Sequence, residues 1–219
     1  MPRLEAELRS GLQSLQLALD DQQVSRLLDY QDLIAKWTQV YNLTAVRDPA
    51  EMLTHHLLDS LAAIKPLKRH MAQAGLQAGC RLLDVGSGAG LPGVVIAICC
   101  PEVTVTCVDT VNKKAAFIQQ AALSLKLPNL SGLHARVEKV AQQFEVVSSR
   151  AFASLPDFTQ WSAGTLAPGG VWMAMKGKHP ADEISALPAD IEVFHVEQLA
   201  VPGLDAERCI LWMRQKTVV

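Results

Sequence analysis

Neither sign of charge dominates this chain: 20 Lys and Arg stand against 22 Asp and Glu, giving a net charge of −2 at neutral pH. A nucleic-acid role would therefore have to rest on a local basic surface, because the whole-molecule field does not supply one. There is no C-x-x-C pair. The five cysteines (Cys80, Cys99, Cys100, Cys107, Cys209) are odd in number and sit in apolar runs, which predicts buried thiols in a reducing compartment and no disulfide staple. Met1-Pro2-Arg3-Leu4-Glu5 carries charge and opens no apolar core of signal-peptide length. Nothing approaches the roughly 20 apolar residues of a membrane span. A disordered composition is also missing, since 49% of residues are hydrophobic and 19% charged. The expectation is a soluble cytoplasmic protein, and 219 residues suit one domain of ordinary size with a small appendage.

What the chain does have is a glycine-rich stretch from Arg81 to Gly93, with four glycines in eight positions after a short apolar run. It reads as strand, tight loop and helix, with Pro92 suited to a first helical position and free N–H groups beyond it able to hold a polar ligand. Two registers compete. Gly88, Gly90 and Gly93 give G-x-G-x-x-G, the dinucleotide fingerprint. Asp84, Gly86, Gly88 and Gly90 give D-x-G-x-G-x-G, which resembles motif I of the methyltransferases that use S-adenosyl-L-methionine (SAM). The acid at the strand end argues against a pyrophosphate, which a carboxylate repels, whereas SAM is cationic at its sulfonium and ammonium.

Before this stretch, leucines and isoleucines at helical spacing from Leu4 to Trp37 predict two amphipathic helices broken at Asp20-Asp21. Asn42, just after a helix, reads as a C-cap or turn residue by spacing alone. A further helix begins at Asp48-Pro49 and carries His55 and His56, which as neighbours face about 100° apart and predict no metal site. Lys65-Pro66 and Gln73 to Gly79 read as linker, dividing a helical unit (1–79) from a sheet unit (80–219).

Beyond residue 80, strand-like and helix-like runs alternate, as a parallel sheet with crossover helices requires. The second strand ends at Asp109, where a carboxylate meets the ribose of an adenosine; both NAD and SAM carry that ribose. Strand ends also place Arg136, Glu138, Arg150 and Lys176 along the ligand crevice, with Arg150 either an ion-pair anchor or a substrate contact. Pro156 to Leu166 predicts a helix, Pro168-Gly169-Gly170 a turn, and Val171 to Gly177 the fifth strand. Two long strand candidates, Ile191 to Val201 and Arg208 to Lys216, predict a terminal hairpin. A dehydrogenase would need a second nucleotide half or a substrate domain after the fifth strand, and no residues remain for one.

Together, Lys36-Trp37, Tyr41-Asn42-Leu43-Thr44, His56-Leu57-Leu58-Asp59-Ser60, Asp84 to Gly93, Ser149-Arg150-Ala151-Phe152-Ala153 and Lys176-Gly177 resemble one family over nearly the whole chain. It is the bacterial guanine-N7 methyltransferases of small-subunit (16S) ribosomal RNA, also called glucose-inhibited division protein B. The resemblance implies a Rossmann-like class I α/β sheet, mostly parallel, with a C-terminal antiparallel hairpin and an N-terminal helical extension. It implies SAM as cofactor, held at Asp84, Gly86, Gly88, Gly90, Leu91, Asp109, Val137, Glu138 and Arg150. It also implies that Asn42, His56, Arg136, Arg150 and Lys176 line the RNA-facing pocket of a monomer whose partner is ribosomal RNA or a subunit particle. The chain departs from the family where Phe-Asp becomes Phe144-Glu145, an acid longer by one methylene. Readings still open are a small-molecule methyltransferase, an NAD-dependent oxidoreductase and a SAM-binding scaffold without catalysis.

Overall fold

The computed structural model describes residues 2–76 and 79–216, so Gln77 and Ala78 of the expected linker lie outside the described residues. Five strands, β1 (Arg81–Val85), β2 (Thr104–Asp109), β3 (Leu130–His134), β4 (Phe144–Arg150) and β5 (Leu166–Lys176), pair in parallel. The terminal hairpin of β6 (Ile191–Gln198) and β7 (Cys209–Gln215) runs antiparallel and inserts β7 beside β5, giving the order β3-β2-β1-β4-β5-β7-β6. All five parallel strands therefore end at one edge, where an open α/β sheet binds its ligands.

The helices cover both faces. On one side lie α1 (Pro2–Ser14), α2 (Asp21–Tyr41), α3 (Pro49–Met52), α4 (Asp59–Leu61) and α5 (Ile64–Gln73), together with α6 (Gly93–Cys99) and α7 (Asn112–Ser124). The other side carries α8 (Leu155–Ser162) and the short α9 (Ala181–Ser185). The break at Asp20-Asp21 is a capping box: Asp20 accepts from Gln23 N at 2.7 Å, and the Gln23 side chain accepts from Asp20 N at 3.1 Å. One apolar cluster crosses the 79/80 boundary, uniting Leu27, Tyr30 and Ile34 with Val94, Ile98 and Phe117. Among the described residues no helix is long and apolar enough to cross a membrane.

Local departures from the sequence reading have physical causes. Lys65-Pro66 is no linker but the first turn of α5, where a missing proline N–H leaves no helical bond unmade. Pro92 precedes the helix as its cap residue, and α6 starts at Gly93. The predicted helix from Pro156 stops at Ser162 and continues as a 3₁₀ turn, Ala163–Thr165. Pro168-Gly169-Gly170 is no turn between elements; it lies within β5, at an irregularity in its pairing between Phe144 and Val146. Between α3 and α4 the chain widens into π-helical turns over Leu53–Leu58, a distortion often found at functional sites.

Candidate active site

The glycine loop is built on two carboxylates, and neither lies as a free acid in a cavity. Asp84, fully buried at the end of β1, accepts from Gly93 N at 2.9 Å and from the Ser148 hydroxyl at 2.9 Å. It thus occupies the first N–H of α6, which the sequence reading left free for a ligand. The repulsion argued against a pyrophosphate loses its basis as well, because this carboxylate faces the core. Burial pushes the Asp84 carboxyl up to about 6, against the pull of Gly93 N–H and Ser148. The folded chain therefore holds a proton that the unfolded chain, with an Asp value of about 3.9, has released. Stability from this group is full below about pH 4 and falls as pH rises through 6, by about 3 kcal/mol in all. Urea midpoints should show it: the stability difference between pH 4.5 and 7.5 shrinks by about 2 kcal/mol in Asp84→Asn.

Asp109, at the end of β2, ties the loop from the other side. Its oxygens accept from Gly88 N at 3.0 Å and Val111 N at 2.8 Å. A third support was not read from the sequence. Tyr30, fully buried on α2, donates its hydroxyl to Ala89 O at 2.5 Å. A polar-tipped aromatic inside the aliphatic stripe of Val24, Leu27 and Ile34 was the signal that could have revealed it.

Two cavities open along this edge and share Gly86 and Ala151. The first, about 430 Å³, is lined by the loop residues Gly86, Ser87, Gly88 and Leu91 and by His56, Asp59, Arg150, Lys176 and Arg208. The second, about 450 Å³, joins Asp109 and Lys114 to Arg136, Val137, Glu138, Phe152 and Trp161. A largely apolar lining that includes the Asp109 and Glu138 carboxylates suits an adenosine, and the loop backbone lining the first cavity suits the amino-acid end of SAM, so the residues fit that cofactor. Where the cavities meet, a Cβ on Gly86 would overlap the ring of Phe152. Ala151 there takes φ 51°, a left-handed conformation uncommon outside glycine and often stored at functional sites.

The predicted cationic pocket is only partly assembled. His56, Arg150 and Lys176 share the first cavity, whereas Arg136 lies in the second beside Val137 and Glu138. Asn42 is exposed and caps α2 in the left-handed conformation, φ 51°, as spacing alone suggested; its Oδ1 accepts from Arg47 Nη2 at 2.8 Å. Its neighbours Leu43 and Thr44 line the cavity in its place. Thr44 Oγ1 lies 2.8 Å from His56 Nε2. Burial, seconded by the nearby Arg150, pushes the His56 imidazole below its ordinary value and keeps it neutral at pH 7. Through the π-helical turns His55 also reaches the cavity.

Lys176 Nζ donates to Ala153 O at 2.8 Å and pairs with Glu183 at 2.8 Å, so its charge is compensated. Arg150 donates to His55 O at 3.0 Å and to Asp59 Oδ2 at 2.6 Å, while Arg208 Nε donates to Asp59 Oδ1 at 2.9 Å. Arg150 is therefore an ion-pair anchor that also lines the cavity. Asp59 and Arg208 were not predicted site residues. Local spacing could not join them across 149 positions. The longer acid Glu145 works at the opposite end of β1, accepting from Arg81 N at 2.7 Å and pairing with its guanidinium.

Comparison with known proteins bears on the family and the fold. The family described as GidB, rRNA small subunit methyltransferase G, matches residues 23–211. A ribosomal RNA small subunit methyltransferase G from Polaromonas sp. is 74% identical over 213 residues, 97% of this chain and 94% of its own. Another, from Albidiferax ferrireducens, is 65% identical over 224 positions and covers 100% of both chains. A solved SAM-dependent methyltransferase from Aquifex aeolicus aligns with a TM-score of 0.54 at 16% identity, over 76% of this chain and 98% of its own, a likeness of fold alone. With 189 consecutive positions spanned by the family match and relatives this similar end to end, the chain belongs to the rRNA small subunit methyltransferase G family.

Proposed function

We propose that this protein transfers a methyl group from SAM to N7 of a guanine in small-subunit ribosomal RNA. The observation that carries this reading is that the reaction cavity offers no free carboxylate among the described residues. Its one lining carboxylate among the described residues, Asp59, is bound to two arginines. Guanine N7 has an in-plane lone pair and no proton, so its methylation requires no general base, and the neutral His56 imidazole in this cavity need not act as one.

When bound, SAM supplies an electrophilic methyl on a sulfonium sulfur. The second cavity, lined by Val137, Trp161, Asp109 and Glu138, would hold its adenosine, and the backbone from Gly86 to Gly88 would hold its amino-acid end. The chain contributes position and exclusion of water, the usual means of bringing two reactants in line. Positive charge moves into the guanine ring during transfer, and the cations that line the cavity are compensated in part against it. His56 is neutral, Lys176 is paired with Glu183, and Arg150 faces Asp59. Arg136, set in the cofactor cavity, serves the adenosine end and no longer belongs among the RNA contacts first expected of it. The guanine must leave its stack to enter, so the substrate presents it in a single-stranded or splayed state.

Reduction and aniline cleavage of small-subunit RNA from cells with and without the gene tests the reading. A cleavage at 7-methylguanosine that disappears with the gene is the expected result. An unchanged pattern would sink it. Transfer of labelled methyl to a small molecule and not to RNA would instead support the small-molecule methyltransferase.

A further inference from the structure

Two guanidiniums converge on one buried carboxylate at the inner wall of the first cavity, and this is more positive charge than an anchor needs. Asp59 is 3% exposed, and its two oxygens are divided between Arg150 and Arg208. Arg208 stands just before β7, so the terminal hairpin, which otherwise only extends the sheet, supplies a wall of the reaction cavity. One of its remaining donors, Nη1, reaches Glu207 O at 2.8 Å, while Nη2 has no acceptor among the described residues. The same holds for Arg150 Nε and Nη2. One carboxylate cannot neutralise both cations, and their mutual repulsion is relieved by a second anion on the open side.

We propose that Arg208, locked with Arg150 on Asp59, binds an oxyanion of one reactant in this cavity. The inference rests on the methyl-transfer reading above, which provides two oxyanion sources, the SAM carboxylate and an RNA phosphate beside the target guanine. Planar forks fixed by a buried acceptor suit either group, because their donors are already oriented before the anion arrives.

The test uses the full chain with Arg208→Gln and Arg208→Lys, measuring SAM affinity by calorimetry and methylation of small-subunit RNA at several salt concentrations. A carboxylate partner predicts a SAM Kd raised about tenfold or more in Arg208→Gln, with the RNA KM unchanged. A phosphate partner predicts the reverse: an unchanged SAM Kd, an RNA KM raised about tenfold, and a salt slope shallower by about 0.7. Arg208→Lys keeps a cation on Asp59 and should show the same change in smaller measure, which preserves the test if the Gln variant fails to fold. Variants that lose thermal stability but keep wild-type SAM Kd, RNA KM and salt slope would overturn the proposal and leave Arg208 a structural anchor. A wild-type protein that methylates no RNA would instead overturn the assigned reaction, while its SAM affinity and RNA retention on filters still report on Arg208.

Discussion

Replacing Asp59 by alanine should destabilise the fold by about 3 to 5 kcal/mol, because it strands two guanidiniums that one buried carboxylate now holds. The Arg150 and Arg208 side chains are only 19% and 25% exposed, so water can solvate them in part but not fully. Asp59→Asn is the milder change: it keeps one acceptor oxygen and removes the charge, so it should fall between alanine and wild type. Denaturant midpoints at neutral pH with an unchanged slope check the size of the effect. Activity should fall further than stability in both variants, since Arg150 loses the group that fixes its direction across the cavity. A loss under 1 kcal/mol for Asp59→Ala would mean that the triad is solvated like a surface pair.

Gly90→Ala carries the second large effect. At φ 89° the residue lies beyond the left-handed region that an alanine tolerates, and its Cβ would overlap Val94 Cγ2 while sitting 3.0 Å from Ile118 Cδ1 and 3.2 Å from the Tyr30 hydroxyl. Strained backbone and overpacking together cost about 2 to 5 kcal/mol. The damage is directed at function, because Tyr30 holds Ala89, and both Ala89 and Leu91 line the cavity. SAM affinity should therefore drop more than tenfold. Gly88→Ala is the control: at φ 58° with open space around the added Cβ, it should cost only about 1 kcal/mol. Equal losses in the two variants would show that backbone conformation alone, without packing against Tyr30 and Val94, sets the loop.

Much of this architecture was legible locally. The capping box at Asp20, the glycine loop, the alternation after residue 80 and the terminal hairpin each depend on residues close in sequence, whose dihedral preferences and apolar periods act over a few positions. Even the misread segments failed for local reasons. Proline beside a polar stretch suggests linker, yet Pro66 sits in the first turn of α5, where its missing N–H costs nothing; Pro168-Gly169-Gly170 suggests a turn, yet it lies within a strand.

The site followed a different rule. Asp84 and Asp109 were correctly placed at strand ends, but their direction was not legible, since whether a carboxylate faces ligand or backbone depends on which N–H groups the fold brings near it. The same limit separated Arg136 from Lys176 and set Asn42 outside the cavity in favour of Thr44. By itself, the sequence determined the elements, the loop that meets the cofactor and the kinship to rRNA methyltransferases, because periodicity and motif are carried by neighbouring residues. Only the tertiary structure decided which charges are compensated. Asp59 finds Arg208 across 149 positions, and Tyr30 finds Ala89 across 59, through a packed core that no local pattern encodes.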